Sequence, residues 1–369
     1  MRHVAFDLET QGLEARYDAS VPVWCVGFAW REAGEIVSVC LPWEAGGKEL
    51  LRQFNEKDDT ILSCFNASFD VAVARTHGVI IQPGKYHCSL LLSYLANPGE
   101  DGHSLRDWGE VFKYPKGDCK DWMHGLTSDL LAYCQRDTEL ALLVFETLWY
   151  GEYKKDTKLR EAYLNVELPY VEVIVEMENT GMFIDVTQLA ELGEYLTDEI
   201  KICEETIDRL TGWLPESASI KWNKESLQLE VVAKSYKDGK NKNKRNAKHY
   251  MFDGVLASSD PATLYDHCKL AKFNPNASHH LMWCLMKEGW IPEQFSKKSK
   301  EPSTTAEVIK EVGSEFSETY TAIATYLKLR DTFVNGILSR TDSGNVVRGS
   351  YNQCITRTTR LSSSNPNLR

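Results

Sequence analysis

Asp7 and Glu9 stand two apart at the end of the apolar run HVAFDLE. In an extended strand a spacing of two puts both carboxylates on one face and turns Leu8 to the other. Such a pair can share a hard cation such as Mg²⁺. A D-x-E triple is expected about once by chance in a chain of this length, so the pair needs context. Asp70 closes FNASFD, which follows one apolar run and opens a helical one. A carboxylate there also suits the positive end of a helix dipole. Tyr133 and Asp137 lie four apart in SDLLAYCQRDTELALLVF, and so share one helix face, with Cys134, Ala141 and Phe145 on another. A solvated polar face is the plainer reading of that pair.

The elements that must position these groups alternate between strand and helix. HVAFDLE (3–9), VWCVGFAW (23–30) and IVSVCL (36–41) read as three strands joined by turn-prone residues. A helix near 47–57, a buried strand TILSCF (60–65) and a helix near 68–77 follow. Helical stretches then cover 90–96, 103–112 and about 128–149, the last opened by Thr127 or Ser128 as N-cap. From about 157 onward helix dominates. After Asp185, an N-cap with Gln188 at capping-box spacing, Leu189, Leu192, Leu196, Ile200, Cys203, Ile207 and Leu210 form one apolar stripe, read as a core face.

With 369 residues, 43% hydrophobic and 26% charged, the chain has the composition of a globular protein of two or three domains. Its apolar runs are too short to cross a bilayer, and no membrane association is expected. The N-terminus, without a cleavable apolar segment, reads as unprocessed and cytoplasmic. Ten cysteines without a CxxC pair argue against a zinc module and against a disulfide framework; they read as reduced thiols packed as small apolar residues. The net charge of −11 is uneven. Residues 1–150 carry 13 Lys/Arg against 22 Asp/Glu, residues 151–211 carry 6 against 15, and residues 212–369 carry 23 against 16. An acidic front and a basic back suit a metal-using part joined to one that holds a polyanion. KSYKDGKNKNKRNAK (234–248) reads as a loop, either solvated, in contact with phosphates, or docking a partner. His279-His280 reads as structural.

The order D-x-E on a first strand, N-x-x-x-D at a strand-to-helix junction and Y-x-x-x-D on a late helix resembles the DEDD exonuclease superfamily in its tyrosine variant (DEDDy), with its ribonuclease-H-like fold. The resemblance implies that Asp7, Glu9, Asp70 and Asp137 bind metal and that Tyr133 orients the attacking water. Four converging carboxylates repel one another and a phosphate unless divalent cations neutralise them, so it also implies two metal ions, Mg²⁺ with Mn²⁺ as a substitute. Further along, VELPYVEVIVEMENTGMFID (166–185), FNPNASHHLMWCLMKEGWIPEQFSKKSKEPSTTAEVI (273–309) and GSYNQCITRTTRLSSSNPNLR (349–369) resemble, in turn, the helix opening the polymerase portion, the thumb and the template-primer motif T-x-T-G-R-L-S-S-x-x-P-N-L-Q of family A DNA polymerases. Spacing and the lysine-rich loop look most like the phage replicative branch. Thr359 stands where that family has Gly, Arg369 where it has Gln, and Cys88-Ser89 where many relatives have Asp-Thr.

The resemblance predicts an α/β exonuclease domain over 1–150, a mostly α-helical thumb over 151–345 and the start of a palm over 346–369. It implies proofreading removal of 3′-terminal nucleotides during DNA replication, in an infected bacterial host if the protein is phage-encoded. Asn66, Phe69, Lys242, Lys244, Arg245, Arg357, Arg360 and Asn367 are the expected contacts to a single-stranded 3′ end or to primer-template. The palm and fingers motifs are absent from the sequence, so polymerisation is expected only with a second polypeptide that carries them; a processivity factor is a further expected partner. A free-standing exoribonuclease and a non-catalytic half of a split polymerase are the alternatives.

Overall fold

The computed structural model describes residues 2–99, 102–119, 125–215, 217, 220–223, 228–231, 250–251, 270–297, 299–358 and 360–367. These fall into two compact units, Met1–Ile184 with Arg340–Arg369, and Asp185–Ser339. The division therefore lies near 184 and 339, where the sequence reading placed boundaries at 150 and 345.

The first unit is built on five strands, β1 (Arg2–Thr10), β2 (Val23–Glu32), β3 (Glu35–Pro42), β4 (Thr60–Cys64) and β5 (Tyr86–Cys88), in the order β3-β2-β1-β4-β5. The first three pair antiparallel, while β4 and β5 run parallel to β1. The hairpin between β2 and β3 turns on Ala33 and Gly34, both with positive φ, the geometry that matches strand twist in a two-residue loop. Sequence analysis found β1 to β4 and missed β5. Tyr86, His87 and Cys88 are too few to show a period of two, and pairing with β4 defines them.

Helices α1 (Lys48–Glu56), α2 (Ala67–Thr76), α3 (Ser89–Ala96), α4 (Leu105–Val111) and α5 (Ser128–Tyr150) accompany the sheet. Val4, Phe6 and Leu8 share the main core with residues of α1 and α2. Ala5 and Ala29 meet Leu142 of α5, and His3 stacks on Phe145 at 3.7 Å. The odd-numbered residues of β1 thus face α5. A helix from Leu168 to Thr180 belongs to the same unit: Arg75 of α2 pairs with Glu172 and, at 2.7 Å, with Glu176, and the Tyr86 hydroxyl donates to Glu172 at 2.8 Å. The C-terminal segment returns here, with Val346–Val347 pairing with Met182–Phe183.

The second unit is led by a helix from Val186 to Thr211, whose N-cap Asp185 accepts from the amides of Thr187 and Gln188. It shares its core with helices Ser278–Lys287 and Glu315–Leu327 through Ile200, Ile207, Leu281, Trp283, Phe316 and Ile323. The apolar stripe is a core face only in part. Leu196, Ile200 and Ile207 are buried, but Leu192 is 45% exposed. Short strands, including the pair Ile220–Asn223 and Gln228–Val231, interrupt the expected run of helix. His280 is structural as expected, accepting from the Asn274 amide and bonding to the Pro215 carbonyl at 2.8 Å. Among the described residues, no helix is long and apolar enough to cross a membrane.

Candidate active site

The period of two in β1 aims Asp7 and Glu9 at α5. Asp7 pairs in register with Gly27 of β2, which pairs in turn with Cys40 of β3. Gly27 is the gap in that row. A Cβ there would lie 2.2 Å from Thr138 Oγ1 and 3.0 Å from the Cys134 carbonyl, so only glycine lets α5 settle this low on the sheet. Thr127 caps α5, accepting from the Leu130 amide at 3.1 Å, and so fixes where its first turns begin. Tyr133, Cys134 and Asp137 then sit above β1 and β2. From the other side Asp70, in the first turn of α2, accepts the Leu8 amide at 3.3 Å.

The four carboxylates feel one another. The Asp7 carboxyl stands well above its ordinary range, first through burial, then through the charges of Asp70, Glu9 and Asp137. Glu9 is pushed up to about 8, by burial first and then by Asp137. Asp70 is pushed up to about 7 by burial, against the hydrogen bond from Leu8. Asp137 is raised by burial and restrained by Lys116, whose Nζ lies 2.7 Å from Asp137 Oδ2. Like charges about 5 Å apart repel by about 3 kcal/mol at an effective dielectric near 20, so one lysine cannot balance four ionised groups.

The donor set fits divalent cations. Four carboxylates offer only hard oxygen ligands, the chemistry preferred by Mg²⁺ and Mn²⁺. One oxygen, Asp137 Oδ1, is buried without a hydrogen-bond partner. A cleft of about 320 Å³ opens beside the cluster, with Leu8, Glu9, Thr10, Phe69, Cys119 and Tyr133 in its lining. Burial holds the Tyr133 phenol above its ordinary range, so it stays protonated and can donate a hydrogen bond.

The five residues Asp7, Glu9, Asp70, Tyr133 and Asp137 are therefore brought together, and Phe69 borders the same cleft. Asn66 is the exposed N-cap of α2 and does not line it. Arg357, Arg360 and Asn367 are exposed on another part of this unit, around the strand pair Ser350–Asn352 and Ser362–Ser364. Lys242, Lys244, Arg245 and Thr359 lie outside the described residues. Sequence reasoning missed Lys116 and Cys134 as members of the cluster. Lys116 lies in a short loop with no periodicity, and only the fold brings it to Asp137.

Comparison with known proteins finds likenesses to DNA polymerases. Residues 257–369 match DNA polymerase family A. The matched segment includes the helices Ser278–Lys287 and Glu315–Leu327 and the strand pair Ser350–Asn352 and Ser362–Ser364. Over 341 residues the chain is 24% identical to DNA polymerase I of Bacillus subtilis (strain 168), covering 87% of this chain and 31% of that protein. It thus spans about a third of the length of this curated relative. The structure of the POL domain of Pol1 from M. smegmatis, in complex with DNA primer-template and dNTP, superposes with a TM-score of 0.67 at 15% identity, over 99% of this chain and 51% of that one. The last likeness is one of fold.

Proposed function

We propose that the first unit is a DEDDy-type 3′→5′ exonuclease of ribonuclease-H-like fold, acting on the 3′ end of DNA in the proofreading role of a family A polymerase. The observation that supports this most is the meeting of Asp7, Glu9, Asp70 and Asp137, from β1, α2 and α5, beside a cleft. The match of residues 257–369 to DNA polymerase family A, and the fold likeness to a polymerase in complex with primer-template, support DNA as the substrate.

In this reading Asp7, Glu9, Asp70 and Asp137 hold divalent metal ions, Mg²⁺ in the first instance with Mn²⁺ as a substitute. When bound, the ions supply a more acidic water as nucleophile and support for the departing 3′ oxygen. The protein's own groups do the rest. Tyr133 donates a hydrogen bond that orients the attacking water, and its phenol does not act as a free base at neutral pH. The Leu8 amide holds Asp70 in place, and α5 carries Tyr133 and Asp137 as one rigid piece. Phe69, at the cleft wall, is suited to stack against the terminal base. Arg357, Arg360 and Asn367, with Lys242, Lys244 and Arg245, are proposed as backbone contacts to primer-template, which position DNA without reading its sequence. A processivity factor completes the proposed assembly.

The test is shortening of single-stranded DNA from its 3′ end in Mg²⁺. Wild type should release mononucleotides, and Asp7→Ala and Asp137→Ala should each abolish release while thermal melting shows them folded. Activity surviving both changes removes the metal assignment, and a preference for RNA favours the exoribonuclease reading.

A further inference from the structure

Three thiols distant in the sequence converge next to the carboxylates. The sulfurs of Cys25 in β2, Cys40 in β3 and Cys134 in α5 all lie within 4.8 Å of one another. All three are free thiols. Cys25 and Cys134 are fully buried, whereas Cys40 is half-buried.

The sheet register explains the meeting. Gly27 pairs with Cys40, so a side chain at 27 would share Cys40's face, and Cys25 lies two residues before Gly27 on that same face. The missing side chain at Gly27 leaves the space that Cys134 enters from above; a Cβ there would stand 3.1 Å from its sulfur. Cys119 packs against the same group.

Packing alone explains small apolar side chains at these positions, but not three sulfurs aimed at one point from three elements. Around a tetrahedral Zn²⁺, with Zn–S about 2.3 Å, sulfurs stand about 3.8 Å apart. The observed spread therefore needs at most about 1 Å of closure to become a binding geometry. Cys134 Sγ also lies within 4.8 Å of carboxylate oxygens of Asp7 and Glu9, so it borders both donor sets; thiolates select soft cations and carboxylates hard ones, which assigns an ion on the Cys25–Cys40 side to the soft class.

We propose that Cys25, Cys40 and Cys134 form a thiolate site for one soft divalent cation of the Zn²⁺ class, bordering the carboxylate site, whose Asp7 Oδ2 lies 3.9 Å from Cys134 Sγ. Its occupant ties α5 to the β2–β3 hairpin. Cys134 follows Tyr133 directly and precedes Asp137 by three residues, so the tie fixes the stretch of helix that presents both. The inference goes beyond the exonuclease reading and does not depend on it.

The probe is Co²⁺, added to the full chain after chelator stripping, under a phosphine reductant and with excess Mg²⁺ present. The expected result is a thiolate-to-metal charge-transfer absorption that saturates at one Co²⁺ per chain and is displaced by Zn²⁺. Cys40→Ser, at a half-exposed position that folding tolerates, should weaken Co²⁺ binding by more than the roughly tenfold typical of losing an outer-shell partner. Cys25→Ser and Cys134→Ser should remove the band. Cys203→Ser, on the helix Val186–Thr211, and Asp7→Asn should both leave it unchanged. No thiolate band, a band unaffected by Cys40→Ser, or a band lost with Asp7→Asn overturns the proposal. The Asp7→Asn arm separates this outcome from any failure of the exonuclease assignment.

Discussion

Lys116 Nζ lies 2.7 Å from Asp137 Oδ2, while Asp137 Oδ1 is buried with no partner. The lysine also opposes the raised carboxyls of Asp7 and Glu9. Its charge is a partial substitute for the cations that the cluster is proposed to bind. Lys116→Met should therefore destabilise the metal-free protein by about 2 kcal/mol, the scale of a hydrogen bond to a charged group. Saturating Mg²⁺ should remove most of that deficit. Melting in EDTA and in Mg²⁺ measures it; equal losses in the two buffers would mean that Lys116 is a structural tie unrelated to metal.

The same cluster sets a pH dependence. Carboxyls whose folded-state pKa lies above the unfolded one bind protons more tightly when folded, so the stability they add is complete below about 4 and is lost as pH rises through the folded values. Asp70 at about 7 and Glu9 at about 8 set the upper end of that window. Lys116 is the opposing charge, while Asp7 and Asp137 add to the penalty. Urea midpoints in EDTA should fall between pH 5 and pH 8, and Mg²⁺ should flatten the slope. A stability that climbs over that range without metal would show that the four groups do not form one cluster.

Tyr133 offers a change confined to chemistry. Tyr133→Phe keeps the ring beside Lys116, whose Nζ stands 5.1 Å from its centroid, and removes only the hydroxyl. The turnover rate on single-stranded DNA should drop by about a hundredfold, the low end for losing one preorganised hydrogen-bond donor, with KM little changed. An unchanged rate would leave Tyr133 as a wall of the cleft.

Much of this was legible in the sequence. Asp7 and Glu9 announced themselves because strand periodicity is strict, and Tyr133 with Asp137 because helix spacing is. The extent of the first unit was not legible. Helix Leu168–Thr180 reads as the start of a second domain, yet Glu172 and Glu178 are held by Arg75, Tyr86 and Arg16 of the first unit. Those contacts join residues 86 or more positions apart and leave no local pattern. The thiol group was hidden for the same reason, since Cys25, Cys40 and Cys134 converge through register and a bare glycine.

Glu178 tests how the C-terminal segment is held. It is 3% exposed, pairs with Arg16 at 3.1 Å and accepts the Tyr351 amide at 2.7 Å, while Arg16 also donates to Ser350 at 2.9 Å. Glu178→Ala leaves a buried guanidinium and a backbone amide without their partner, and should cost about 3 kcal/mol. Limited proteolysis should then cut after residue 340 sooner than in wild type. An unaltered melting point and cleavage pattern would show that the strand pairing with Met182–Phe183 holds the segment alone.

Asp70→Asn gives the most direct measurement. The substitution keeps the side-chain oxygen that accepts the Leu8 amide and removes only the charge, so the fold should persist. On 5′-labelled single-stranded DNA in Mg²⁺, wild type should produce a ladder shortening from the 3′ end, and Asp70→Asn should slow it by about a hundredfold or more, as expected when transition-state charge loses its stabilisation. Equal rates in the two proteins, or loss of the label from the 5′ end, would contradict the account.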